Sequence, residues 1–245
     1  MPVELAMIPL GALLAAFVVA AAGFGDALVL GAVWYHFLAP AEAVPLIVAS
    51  GFIMQMQPLY RLRNELKYDH LLPFVVAGIV GVPMGAWLLI HVEADPFRSG
   101  IGIFLVLYCG VMLLVHQKPK LRWGGKIADS GIGLIGGVLG GFAGLSGVTP
   151  TLWVGLRGWT KDRQRGVYQP FVFAMHGLSI AWLASKGLVD GQTGLRLLWC
   201  LPAIVIGGWA GLRIYHRLDE TRFRNLVLIL LLISGMTLVM YGYGN

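Results

Sequence analysis

The stretch "GVPMGAWLLIHVEADPFRSG", residues 81–100, is answered 126 positions later by "GGWAGLRIYHRLDETRFRNL", residues 207–226. Gly81 aligns with Gly207, Gly85 with Gly211, Phe97 with Phe223 and Arg98 with Arg224. Each copy carries a small-x-x-x-small pattern in an apolar setting, which lets helix backbones approach closely. Pro83 and Pro202, beside these glycines, permit bends. Nearer the start of each half the offset drifts to 118, where Gly23-Phe24 meets Gly141-Phe142 in a second pair of Gly-rich apolar stretches. The chain therefore reads as a duplication of a unit of about 120 residues, with repeats at 1–120 and 121–245.

The medium follows from composition. Hydrophobic residues make up 58% of the chain and charged residues 12%, against about 45–50% apolar residues in soluble domains. Mean hydropathy is +0.77. Apolar runs recur down the whole length, separated by connections too short for a soluble domain, so the chain is all-α and polytopic in a membrane. The N-terminal "MPVELAMIPL" has no basic leader and no clear cleavage site, and is read as the start of the first membrane segment. Cys109 and Cys200 both fall within apolar runs and read as buried hydrophobes rather than as a disulfide or a thiolate metal site.

Each repeat divides into five helical pieces. The first half predicts helices at about 6–22, 26–38, 43–60, 71–90 and 97–115; the second at about 127–143, 147–157, 167–185, 197–212 and 223–241. The second piece of each half reaches only about 20 or 17 Å at 1.5 Å per residue, short of a hydrocarbon core of about 30 Å. These short pieces are expected to form Gly-rich re-entrant or broken hairpins with the helix before them. A hairpin adds no net crossing and three single crossings follow, so the second repeat enters the membrane inverted relative to the first.

Charge placement provides an independent check. With the loop "RLRNELKYDH" in the cytoplasm, all of the 18 Lys and Arg residues except Arg98, Lys186 and Arg196 fall on the cytoplasmic side. That bias is what the positive-inside rule expects, and it places both termini outside. Basic residues thus serve topology, which sets nucleic acid aside as a partner despite the net charge of +6.

The chemistry is expected at the hairpin turns. "AAGFGD" and "GGFAGLSGVTP" hold Gly23 and Gly25, and Gly144 and Gly147, respectively. A glycine turn at mid-membrane leaves N–H groups at a helix start directed into polar space, with the positive end of the helix behind them, and makes an anion site. Two such turns from inverted repeats would meet near the midplane. Ser146 and Thr149 offer hydroxyl donors, although Thr149-Pro150 also reads as an ordinary helix cap with proline at the first helical position. Asp26, costly in hydrocarbon, reads either as an N-cap or as a proton carrier whose neutralisation removes repulsion from a bound anion. Further polar groups lie in the following helices: Gln55 and Gln57 in the first half, Gln169, His176 and Ser179 in the second. Each is suited to bridging helices, and His176 also to titrating near neutral pH or donating to an anion. No Walker, G-x-S-x-G or H-E-x-x-H pattern occurs in the sequence, and no enzyme activity or cofactor is expected.

These features together resemble the TauE/SafE family of sulfite and organosulfonate permeases. The resemblance is carried by "GFGDALVLG", by "GGVLGGFAGLSGVTPTLWVGLRG" and above all by "VIGGWAGLRIYHRLDETRFRNLVLILLLISG". It implies a bacterial inner-membrane permease for sulfite, organosulfonates or other small anions, with Gly23, Gly25, Gly144 and Gly147 bordering the path. The chain departs from an uninterrupted glycine run where Asp26 and the alanines around it intrude. The expected partners are a small anion, membrane lipids and, for a coupled mechanism, protons; a homo-oligomer is compatible with this reading. Two rival readings are a cation or metal-ion permease using Asp26 and His176 as ligands, and a membrane scaffold that transports nothing.

Overall fold

The computed structural model describes residues 2–62, 68–114, 124–215 and 220–243. Among them are ten α-helices and no strand: α1 (Pro2–Ala22), α2 (Asp26–Trp34), α3 (Pro40–Leu62), α4 (Tyr68–His91), α5 (Ala94–Leu114), α6 (Lys126–Ala143), α7 (Val148–Leu156), α8 (Lys161–Ser185), α9 (Gly191–Tyr215) and α10 (Glu220–Tyr243). All ten expected pieces are present. The bounds differ most at α8 and α9, which each begin six residues before the expected 167 and 197, and at α2, which ends at Trp34 with residues up to Leu38 continuing as hydrogen-bonded turns. Five helices, α4, α5, α8, α9 and α10, are long and apolar enough to cross a membrane, while α1 and α3 carry shorter apolar stretches. Helices α2 and α7, at nine residues each, extend only about 14 Å.

The chain forms two compact units, and neither is one half of the sequence. Unit 1 comprises residues 1–43, 91–117 and 192–245, thus α1, α2, α5, α9 and α10. Unit 2 comprises residues 44–90 and 118–191, holding most of α3 and α4 together with α6, α7 and α8.

In unit 1, α1 turns into α2 through Gly23 and Gly25, whose φ angles of 83° and 98° lie in the left-handed region that favours glycine. The hairpin is closed at its far end by Trp34, whose indole Nε1 donates to Ile8 O at 3.2 Å. Helix α9 lies directly on α1. A Cβ on Gly207 would strike the carbonyl oxygen of Leu13, and one on Gly211 that of Phe17, 2.5 Å away. Helices α5 and α10 cross at Gly102 and Gly235 with similar intimacy: a Cβ on Gly102 would lie 2.7 Å from Gly235 O. Arg98 on α5 secures the chain after α2, donating from Nε to Tyr35 O at 3.0 Å and from Nη2 to Leu38 O at 3.3 Å.

In unit 2 the same contact recurs between α4 and α6. Cβ atoms on Gly81 and Gly85 would collide with the backbone of Leu134 and Val138. In return Gly133, Gly137 and Gly141 on α6 face the carbonyls of Phe74, Gly78 and Val82 on α4. At this separation each glycine Cα–H can meet a carbonyl of the other helix, a contact of about 0.5–1 kcal/mol. The base of the α6–α7 hairpin is held by Trp153 Nε1, which donates to Asp129 Oδ1 at 2.7 Å. Asp129 is nearly fully buried, and Arg157 stands 3.7 Å from the same oxygen. Arg157 also donates to Gly124 O and packs over the rings of Trp153 and Trp159. The α3–α8 contact is aromatic, with Phe52 stacked on Phe173 at 4.3 Å.

Exposed large apolar side chains, such as Val80 and Met84 on α4 and Val205 and Ile206 on α9, give these helices the outward apolar faces that lipid requires. The glycine contacts generate a prediction with an internal control. Gly85→Ala places a methyl group inside the Val138 carbonyl and should lower stability in detergent by about 2–3 kcal/mol. Gly110→Ala, with nothing within 4 Å of the new Cβ, should leave it unchanged or raise it by up to about 1 kcal/mol. Thermal unfolding of the two variants beside the parent protein checks both.

Candidate functional site

The turn between α6 and α7 is built around Gly144. Its φ of 71° reverses the chain, and its N–H is satisfied by Gly140 O at 2.9 Å. A side chain there would meet Ile47 Cγ2 at 2.6 Å, so the turn lies directly against α3. Two residues on, the chain enters α7 with Gly147 as N-cap and Val148 as the first helical residue. The capping expectation for Thr149 is corrected: it sits inside the first turn, its side chain does not cap, and its Oγ1 donates to Ile132 O at 3.3 Å. Thr149 therefore ties α7 back to α6 beside Gly136.

Helix α8 presents its polar residues to this turn. Gln169, Val172, His176, Ser179 and Leu183 are all buried and follow spacings of three and four, which place them on one helical stripe. Two members of the stripe touch the turn. His176 Nε2 lies 3.2 Å from Gly144 O, and since a carbonyl only accepts, that nitrogen carries the proton. Val172 Cγ2 lies 3.0 Å from where a Cβ on Gly147 would stand.

Helix α3 supplies the third wall. Ile47 and Val48 touch Gly144, and Ser50, one turn further along than Ile47, is fully buried. Ser50 was not among the residues singled out from sequence. It begins the run that contains Gln55, but a lone serine in a helix is ordinarily satisfied by its own backbone, so nothing in the sequence marks it. The hydroxyls of Ser50, Ser146 and Ser179 share an unusual state: each is wholly buried and has no hydrogen-bond partner among the described residues. Gln55 is buried as well; the side chain of Gln57 lies outside the described ones.

Unit 2 thus brings together Gly144, Ser146, Gly147 and His176, while Ser179 follows His176 by one turn of α8 and Ser50 follows Ile47 by one turn of α3. Ser146 N–H and Gly147 N–H have no backbone acceptor among the described residues, and they precede the positive end of α7. The set is rich in donors and neutral. Among the described residues no Lys or Arg is buried, and no three His, Cys, Asp or Glu side chains gather as a metal would require.

Gly23, Gly25 and Asp26 belong to unit 1. There the N-cap of α2 is Gly25, so the expectation of Asp26 as N-cap is corrected: Asp26 is the first residue inside the helix. Its carboxylate, buried to 6% exposure, stands near the positive end of α2 and is not isolated.

No solved structure matches this chain. Its sequence does match a known family over residues 8–238, nearly the whole length, and the chain accordingly belongs to the sulfite exporter TauE/SafE family.

Proposed function

We propose that the chain is a secondary permease for a small sulfur-containing or organic anion, such as sulfite or an organosulfonate, in a bacterial cytoplasmic membrane. Family membership and five membrane-length helices make it a polytopic transporter of small anions. The observation that carries the substrate class is the donor set of unit 2. Three buried hydroxyls with no hydrogen-bond partner among the described residues lie in the glycine turn before α7 (Ser146) or within one helical turn of side chains that touch it (Ser50 and Ser179), and His176 donates to the carbonyl of that turn. Buried donors without acceptors cost about 1–3 kcal/mol each, and an anion supplies the acceptors they lack.

The inverted duplication is part of the same reading. The ten helices pair in order by length, 21 with 18 residues, 9 with 9, 23 with 25, 24 with 25 and 21 with 24. The left-handed Gly23 and Gly144 stand 121 positions apart, which favours an offset of 121 over 118 for the hairpins. At that offset Ala12, Ala16 and Ala20 of α1 correspond to Gly133, Gly137 and Gly141 of α6. Ile8, which accepts from Trp34, likewise corresponds to Asp129, which accepts from Trp153. The fourth segment of each repeat then packs alike: α9 lies on α1 in unit 1 as α4 lies on α6 in unit 2.

Orientation follows from the basic residues, with both termini outside. Residues 63–67, 115–123 and 216–219, which carry part of that charge, lie outside the described residues. For Asp26, proton coupling is the proposed role: neutralising it removes a negative charge from the transport machinery at the more acidic face.

Three outcomes test this reading. An impermeant thiol reagent on intact cells should label a cysteine at Glu93 and leave one at Arg163 untouched; the reverse pattern would overturn the topology. In proteoliposomes Asp26→Asn should still exchange a sulfonate but lose its dependence on a pH gradient, and full dependence would show that the coupling proton is held elsewhere. His176→Leu leaves Gly144 O without its donor, a loss of about 1–3 kcal/mol in stability. It should also slow sulfonate exchange more than His176→Gln does, whereas competition by divalent cations instead of sulfonates would turn the reading to a cation permease.

A further inference from the structure

At one end of unit 2 two guanidinium groups and an imidazole gather on a single indole. The guanidinium carbon of Arg163 lies 4.4 Å from the centre of the Trp159 ring and that of Arg157 lies 5.1 Å from it, while the His70 ring is centred 5.0 Å away. The two guanidinium groups are thus within about 10 Å of each other, roughly the screening length of dilute salt, and repel. Gln164 holds the indole in place by donating from Nε2 to Trp159 O at 2.6 Å.

Little negative charge offsets this gathering. The segment from 157 to 165 carries Arg157, Lys161, Arg163 and Arg165 against the single acid Asp162. Asp129 is engaged with Trp153 and Arg157. No ion pair among the described residues includes Arg163. Its Nη2 stands 2.7 Å from His70 Nε2, and because a guanidinium only donates, that ring nitrogen is the acceptor. An exposed arginine with a neutral imidazole as its acceptor is a cation in want of an anion.

The location specifies the source of that anion. The apolar span of α4 begins at Asp69 and that of α8 at Arg163, so the cluster stands where two helices of unit 2 enter the hydrocarbon from the headgroup layer, the layer that indoles favour. Just beyond His70, Leu72 and Val76 are exposed on α4 and offer an apolar surface to an acyl chain. We propose that the cluster around Trp159 binds the phosphate of an anionic phospholipid. In the proposed orientation that lipid belongs to the inner leaflet. The inference goes beyond transport and does not depend on which solute crosses. A guanidinium lying over an indole keeps its N–H edge for the oxygens of a phosphodiester. A zwitterionic headgroup brings its own ammonium to compete for the phosphate, so the cluster favours a headgroup with net negative charge.

Thermal unfolding of the full chain tests this, in detergent micelles doped with dioleoylphosphatidylglycerol or, at equal mole fraction, dioleoylphosphatidylcholine. The anionic lipid should raise the unfolding midpoint about 2–4 °C above the zwitterionic one, as a ligand of the folded state does. Arg163→Gln should lose most of that difference, and Arg163→Lys, which keeps the charge but not the planar fork, about half. Arg222→Gln, which removes an exposed charge from unit 1, should retain it. Each variant is compared with itself in the two lipids, and the lysine variant carries the test if the glutamine variant does not fold. Equal midpoints in the two lipids, or a difference untouched by either Arg163 variant, would overturn the proposal. An equal loss in Arg222→Gln would also overturn it, because net charge and not the cluster would then be recognised. Inorganic phosphate that reproduced the shift in phosphatidylcholine micelles would assign the cluster to a soluble anion and overturn the lipid. Since no transport is measured, each of these failures leaves the permease reading standing.

Discussion

Backbone-to-backbone approach between helices is the constraint on which the rest of the structure depends. In water two helices are driven together by apolar burial, but in lipid that drive is absent and association rests on close packing. This chain meets the requirement with glycine. Gly81 and Gly85 lie on the carbonyls of α6, and Gly207 and Gly211 on those of α1, with no room for a methyl group. The hairpins α1–α2 and α6–α7 each contain a helix too short to cross a bilayer, so each depends on its longer arm for position. Fixing that arm against α9 or α4 fixes the turn at its end. The glycine contacts thus fix, within each unit, where Gly23 and Gly144 reverse the chain relative to the helix packed on the longer arm.

The two hairpins share a framework and differ in chemistry. Both reverse at a left-handed glycine, and both are closed by a tryptophan indole. At the start of α2 stands Asp26, while the start of α7 is preceded by Ser146 and followed by Thr149. One turn therefore carries an acid and the other carries hydroxyls. An acid beside a helix start is stabilised by the helix dipole, whereas hydroxyls at that place add donors to those of the backbone. In the proposed duplication the same scaffold occurs twice, and the differences at these few positions would divide proton handling from anion binding.

Most of the fold was legible because its signals are local. Apolar runs bounded by charge locate helices to within a few residues, and Gly-Phe-Gly-Asp or Gly-Leu-Ser-Gly marks a reversal wherever it occurs. The grouping of helices into units was not legible. Nothing in "GVPMG" states that its partner is α6, in the other half of the sequence, because a glycine stripe specifies how closely a helix can approach and not which helix approaches. Thr149 was misread for a related reason: Thr-Pro is a sound helix-start signal, but α7 begins two residues earlier with Gly147 as its N-cap, which frees the threonine hydroxyl to reach Ile132. Asp26 was displaced in the same way by Gly25. His176 and Ser179 could be found from polarity within an apolar helix. Ser50 could not, because its importance lies in the missing partner, and that is a property of the packed structure alone.

That missing partner also bears on why the site is neutral. A protein that only had to hold an anion could bury an arginine against it, and the bidentate pair would be among the strongest contacts available. A permease must release what it binds on the other side, so its site has to be favourable enough to enter and weak enough to leave. In the proposed site, hydroxyls and backbone N–H groups would meet both demands, replacing the water that a small anion gives up without the full charge of an arginine that would retain it. The hydroxyls of Ser50, Ser146 and Ser179 are buried with no partner among the described residues, and in the proposed mechanism a bound anion would give them hydrogen bonds without requiring a permanent cation. Stability given up at three serines is in this view the counterpart of turnover, and the glycine-locked helices around them are what allow the fold to bear it.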